Sequence, residues 1–177
     1  MAEGAWYASK DDSRRAARAF REAIALEPDE PDAYYNLGAA LNNSGHFVEA
    51  AQRFLEAIER YPVGSEGWAE AMAMAFNMLI KQACAEVAKP EWWNDDGLKA
   101  LSARVVRAAP DDRQANHMRA AVLCGEAGAW EAGPRSAAEL AEAATHFARA
   151  AALCPAPAVK AELARSAELC RSLADAV

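Results

Sequence analysis

The sequence predicts an all-α chain, built as a stack of antiparallel helix pairs and closed by one final helix. Three observations carry this prediction. Small and large apolar residues recur in series at separations of three and four, which places each series on one face of a helix. Glycines and prolines stand between these series, where helices end and begin. The last stretch, after Pro157, interleaves Val159, Leu163, Ala167, Leu169 and Leu173 with charged residues, as a lone amphipathic helix does.

The segment from Pro31 to Pro62 is the clearest. Tyr34, Leu37 and Leu41 share one face of a first helix, and Gly38 lets a second helix approach closely. Gly45 ends that first helix, because glycine tolerates a left-handed backbone. Ala50, Phe54 and Ala57 repeat the spacing in the second helix, Phe54 filling the space that the alanines leave, and Pro62 stops it. This series, with Phe47 after the turn, resembles the tetratricopeptide repeat, with Tyr34 in place of the usual Trp and Leu41 in place of the usual Tyr. The resemblance implies a right-handed α-solenoid that holds another polypeptide.

The family period of about 34 residues organises the rest. One period earlier, Gly4, Tyr7, Ala16, Phe20, Ala23 and Pro28 reproduce the series without its large N-terminal aromatic, so Met1 begins a shortened half-repeat or marks a trimmed array. One period later stand Trp68, Ala71, Met72 and Ala75. The second helix of that unit, with Leu98, Leu101, Val105 and Val106 before Pro110, comes about fourteen residues late against the period. The extra residues are expected in a lengthened first helix and in Lys89 to Gly97, where Pro90 interrupts helix and Asn94 to Asp96 offer caps. A fourth unit holds Asn116, Ala120 and Leu123, a long connection from Gly125 to Pro134, then Ala143, Phe147, Ala150 and Pro155. Arg119 stands where a Leu is usual. The helix after Pro157 is expected to cap the open apolar end of the solenoid with a polar outer face bearing Lys160, Glu162, Arg165 and Glu168. The expected organisation is one domain over 1–177, with units of about 1–30, 31–64, 65–112 and 113–156 and a capping helix at 157–177.

Bulk composition narrows the function. The 177 residues suffice for one well-buried domain or a short repeat array, and the alanine-rich composition favours close helix packing. Net charge is −7, from 26 acids against 19 bases, so the average surface repels phosphate and anionic lipid, leaving room only for a local basic patch. A mean hydropathy of −0.19 is that of a soluble protein, and no apolar run is long enough for a membrane span. The start, Met1 to Tyr7, lacks a secretory signal's basic and apolar regions, which points to cytoplasm or nucleus. Cys84, Cys124, Cys154 and Cys170 lack zinc-site spacing and read as buried reduced thiols. The sequence has no G-x-x-x-x-G-K loop, no G-x-S-x-G elbow and no H-E-x-x-H helix. His46, His117 and His146 are isolated, and the pairs Asp11-Asp12, Asp95-Asp96 and Asp111-Asp112 precede helices, where they complement the helix dipole. A non-enzyme without metal or cofactor is expected.

In tetratricopeptide proteins the first helices line a concave groove, so the resemblance assigns the groove to residues of those helices. Helical spacing points Asp32, Tyr35, Asn36, Ala39, Asn42 and Asn43 into it from the second unit. Glu66, Ala69, Glu70, Ala73 and Asn77 follow from the third, and Gln114, His117 and Ala121 from the fourth. Amides and acids around small residues suit an extended peptide held by backbone hydrogen bonds, against the plainer reading of a solvated helix face. The family's carboxylate clamp for heat-shock chaperones is not expected. Tyr35 and Ala39 stand where it needs Lys and Asn, and Glu66 and Glu70 where it needs Lys and Arg, so a basic or neutral partner fits better. The tandem Trp92-Trp93 in the acidic insertion reads either as a docking hot spot or as local core folded back on its own helix, and Trp130 poses the same choice. The expected function is thus a scaffold or adaptor binding a partner peptide or helix, with a structural subunit docked through its insertions and open N-terminal end as the alternative.

Overall fold

The computed structural model describes residues 4, 7, 12–125 and 129–177. The expected shortened first helix, and with it Met1 and Asp11, lies largely outside these residues, although Gly4 and Tyr7 are both helical. All regular structure among the described residues is helical. Eight α-helices have described bounds: α1 Ser13–Leu26, α2 Pro31–Asn43, α3 Phe47–Arg60, α4 Glu66–Leu79, α5 Asp95–Ala108, α6 Arg113–Cys124, α7 Ala137–Leu153 and α8 Pro157–Ala174. The fold is the all-α helical-repeat class that the sequence predicts.

The helix ends are written locally. Side chains of Asp12, Ser65, Asn94 and Asp112 accept hydrogen bonds from backbone N–H groups three residues on, at 3.2, 3.2, 2.9 and 2.7 Å. Ser136 and Glu139 form a reciprocal capping box at the start of α7. Pro31 and Pro157 occupy first turns, where their missing N–H costs nothing. Gly45 (φ 80°) and Gly125 (φ 69°) take the left-handed backbone that follows α2 and α6.

The chain divides into two compact units, Met1–Val87 and Ala88–Val177. In the first, α1 to α4 each pack on the next helix. The helices α2 and α3 approach closely at Gly38, where an added methyl carbon would sit 2.9 Å from the fully buried ring of Phe54. Gly4 meets Phe20 in the same way, at 2.6 Å, one repeat earlier. Tyr34 fills the first-helix aromatic position and donates its hydroxyl hydrogen bond to the Pro28 carbonyl at 2.9 Å. The Arg60 guanidinium lies 4.0 Å from the Tyr34 ring and donates to the same carbonyl at 3.0 Å.

The expected lengthened helix in the third unit is not formed. α4 ends at Leu79, Lys81 is extended (φ −72°, ψ 141°), and a 3₁₀ turn spans Gln82–Cys84. Residues 81–88 are good helix formers, but tertiary contacts outweigh that propensity. The turn packs on α3 with Cys84 fully buried, and the Lys81 ammonium lies 4.8 Å from the Phe47 ring.

In the second unit α5 to α8 likewise pack in sequence, around Leu98, Val105, Met118, Val122, Leu123 and Phe147. Asn116 takes the register position of Tyr34 and makes an equivalent bond: its Nδ2 donates to the carbonyl of Pro110, six residues back, at 2.9 Å, and to that of Asp112 at 2.8 Å. With both amide hydrogens committed, Oδ1 is the acceptor facing His146 Nδ1 at 2.9 Å, so the imidazole carries its hydrogen there. Arg119 likewise explains its departure from Leu. It donates to Glu142 at 2.8 Å, to the Lys99 carbonyl at 2.8 Å and to the buried Ser102 hydroxyl at 3.2 Å, joining α5, α6 and α7.

α8 covers α7 through Leu163, Ala167 and Cys170, at separations of four and three. The expected polar outer face is not observed in full. Leu169 and Leu173 lie beside this narrow stripe and remain 60% and 45% exposed, because α8 presents only one face to α7.

Gly38→Ala tests the spacing of the first unit. The new methyl group presses on a ring with no room to retreat, and unfolding stability is expected to fall by about 1–3 kcal/mol in urea titration.

Candidate functional site

In the first unit, α2, α3 and α4 meet around Tyr34, Ala57 and Ala71, with Tyr35 and Tyr61 packed alongside. Tyr61 follows α3 directly and donates its phenolic hydrogen bond to Asp32 Oδ1 at the start of α2. Its ring also lies over the start of α4, where a methyl group on Gly67 would be 2.5 Å away. Burial pushes the Tyr61 phenol far up, and the charge on Asp32, with smaller effects from Tyr35 and Glu70, adds to this. Two phenols and two carboxylates therefore share one polar surface. Tyr61 was not among the groove residues read from the sequence. Its only signal there is an aromatic ring just before the Pro62 that ends the repeat.

Of the groove residues expected from α2, Asp32 and Asn43 are exposed, whereas Tyr35, Asn36, Ala39 and Asn42 are half-buried. Tyr35 packs edge-on to Phe54 with ring centroids 5.6 Å apart. On α4, Glu66 is exposed and Glu70 and Asn77 are half-buried, but Ala69 and Ala73 are fully buried. Those two alanines do not line a groove, because α4 buries most of its circumference and leaves a narrow polar stripe from Glu66 through Glu70 to Asn77.

In the second unit Gln114 and His117 are half-buried, and Ala121 is buried rather than presented to solvent. The His117 ring packs edge-on to Phe147 at 6.0 Å. Burial pushes its pKa down, as does the charge on Arg113. His146 is lowered too, first by burial.

The two long connections of this unit are locked together. Trp93 Nε1 donates to the Ala129 carbonyl at 3.0 Å, and its ring lies 5.8 Å from Trp92 and 6.2 Å from Trp130. The Lys89 ammonium sits 5.4 Å from the Trp93 ring. Trp130 Nε1 donates to Asp95 Oδ1 at 3.2 Å. The same carboxylate takes both arms of the Arg135 fork, at 2.6 and 2.8 Å, and Arg135 also donates to the Val122 carbonyl. Lys99 bridges Asp95 at 3.2 Å and Glu139 at 2.7 Å. Arg135, then Trp130 and Lys99, hold the Asp95 carboxyl well below the usual range, and Lys99 with the Ser136 backbone brings Glu139 down to about 2. Asp95 is thus more than an acid at a helix start. Its partner lies forty residues away, a pairing that no local pattern announces. Trp92 and Trp93 remain half-buried on this frame.

Among the described residues no group of three or more His, Cys, Asp or Glu side chains is placed to hold a metal ion, and no helix is long and apolar enough to cross a membrane. None of the four cysteines is joined in a disulfide.

Residues 7–45 match the family model of the TPR, or tetratricopeptide, repeat. Over nearly the whole chain the fold is that of solved TPR structures. A MamA protein superposes with a TM-score of 0.60 at 14% identity, over 99% of this chain and 82% of MamA. Residues 7–45 thus match a tetratricopeptide repeat, and the chain shares the fold of tetratricopeptide-repeat structures. YrrB, described as a TPR protein with an unusual peptide-binding site, gives a TM-score of 0.56 at 16% identity over 98% of this chain and 89% of its own. MamA from Desulfovibrio magneticus RS-1 gives 0.55 at 17% identity over 97% and 89%. No curated protein matches the chain by sequence. Tetratricopeptide repeats are protein-interaction modules and are generally not enzymes. Asn116 and Arg119 replace the aromatic and the Leu of the repeat by polar groups that keep the same helices joined.

Asp95→Asn isolates the lock between the connections. It removes the charge opposite the largely covered Arg135 side chain, and the expected loss is about 2–4 kcal/mol at neutral pH. Because the folded-state pKa of Asp95 is depressed, this contribution is fully present above about pH 5 and is lost progressively as pH falls through the strongly acidic range. Urea titrations of both proteins across that range should show the gap closing.

Proposed function

We propose that the exposed first-helix face of α2 and α4 binds a basic or neutral peptide, or one face of a helix, of a protein partner. The observation that supports this is the shared polar surface around Tyr61, where Asp32 and Glu70 flank two tyrosines and Asn36, Asn42, Glu66 and Asn77 extend it along both helices. Amide side chains can pair with an extended backbone, carboxylates favour Lys or Arg, and phenol rings offer a cation a face to rest on. A heat-shock chaperone's terminal carboxylate is disfavoured there, because it would meet Glu66 and Glu70. YrrB supports the reading by analogy of fold, since its printed description assigns it a peptide-binding site. Gln114 and His117 would serve the second unit's first-helix face. The protein would act without catalysis, cofactor or nucleic acid, in the cytoplasm or nucleus.

A second reading rests on Trp92, which stays half-buried on a braced aromatic frame and would anchor a partner docked at the insertion, as in a permanent subunit of a larger complex.

Binding of peptides that differ only in Lys, Ala or Glu content discriminates these readings. The Lys peptides should bind best, and Asn36→Ala/Glu70→Ala should weaken them at least tenfold, about 1.4 kcal/mol or more. Trp92→Ala/Trp93→Ala should leave them unchanged. Equal binding of Lys and Glu peptides, or loss only in the Trp variant, would remove the groove from consideration.

A further inference from the structure

The outward face of α1 differs from the rest of the molecule. Within Ser13–Leu26 stand Arg14, Arg15, Arg18 and Arg21 against a single acid, Glu22, a local charge of +3 in a chain of −7. Ala16, Ala17 and Phe20 bury the inner face, so Arg14, Arg18 and Arg21, spaced by four and three, run in one stripe on the outer face. The side chains of Arg18, Arg15 and Arg21 are 83%, 70% and 50% exposed, and Arg14 is exposed with no ion-pair partner among the described residues. Of the present partners Glu22 is exposed and Asp12 and Glu49 are half-buried, so these surface pairs contribute little and exchange readily.

We infer that this arginine stripe is a second docking surface, which takes a short acidic segment of a protein partner. Every cation in it is arginine, whose planar fork grips a carboxylate with two parallel bonds where lysine offers a point charge. The stripe spans about 10 Å, two turns of helix, and matches three carboxylates spaced by four and three on a partner helix. Its short reach selects among anions. A nucleic acid or a membrane extends past it and meets the remaining surface, which carries the chain's excess of acids and repels it, whereas a short acidic segment need not. The surface is separate from the acidic face of α2 and α4, and the two would recognise segments of opposite charge.

The test is fluorescence anisotropy on the whole chain with a labelled synthetic peptide bearing three glutamates at i, i+4 and i+7. Saturable binding that weakens with added salt is expected. Arg14→Glu/Arg18→Glu should lower the affinity at least tenfold, Arg14→Lys/Arg18→Lys by a smaller factor, and Asn36→Ala/Glu70→Ala not at all. Circular dichroism checks the fold, and Arg14→Ala/Arg18→Ala replaces the charge reversal if that variant does not fold. No saturable binding at low salt, or undiminished binding by the arginine variants, would overturn the inference. So would tighter binding of a single-stranded oligonucleotide or of phosphatidylserine vesicles than of the peptide at about 0.15 M salt.

Discussion

A phenylalanine ring seated against a bare glycine backbone sets how closely the helices of the first unit approach. Phe54 is completely buried on Gly38, and Phe20 repeats the contact on Gly4. A side chain on either glycine would push the pair apart, and the alanines around Phe54 would then face gaps. In the second unit Phe147 belongs to one core cluster with Ala120, the residue at the glycine position. Helix spacing is the quantity the repeat preserves, and the polar surfaces on α1, α2 and α4 depend on the frame that it holds.

The second unit reaches a similar architecture with different chemistry. Asn116 does with an amide what Tyr34 does with a hydroxyl, tying its helix to a carbonyl six residues upstream. The aromatic version also fills volume and stacks under Arg60, whereas the amide gains a partner in His146. Arg119 stands at the register of Leu37 and joins three helices by hydrogen bonds instead of apolar contact. Each such group is committed in a fixed direction, so these substitutions specify one arrangement of α5, α6 and α7 more narrowly than an aliphatic core would.

How far the structure was legible in the sequence follows the range of the interactions. The caps at Asn94 and Asp112 and the glycine at 45 could be read directly, since each depends on residues within one turn. Register of the buried residues was legible for the same reason. The lengthened helix expected after α4 does not form, because the extended backbone of Lys81 answers to Phe47 and α3 rather than to its own neighbours. Ala69 and Ala73 were placed in the groove because first-helix register alone does not say how many neighbours a helix has. Leu169 and Leu173 belong to the apolar series of α8 yet stay exposed, because periodicity does not report the width of the contact that α8 makes. On the candidate site, helical spacing points to Asp32 and Glu70, whereas Tyr61, whose hydroxyl donates to Asp32, comes from the end of a different helix.

The Asp95 and Arg135 fork has a consequence for how this chain can change over generations. One connection contributes the acid and the aromatic pair, the other the guanidinium and Trp130, and each holds half of a buried charge balance. A deletion or insertion confined to either segment strands the opposite charge in the interior. A change in the length of one segment therefore keeps the fork closed only if the other segment alters to match it.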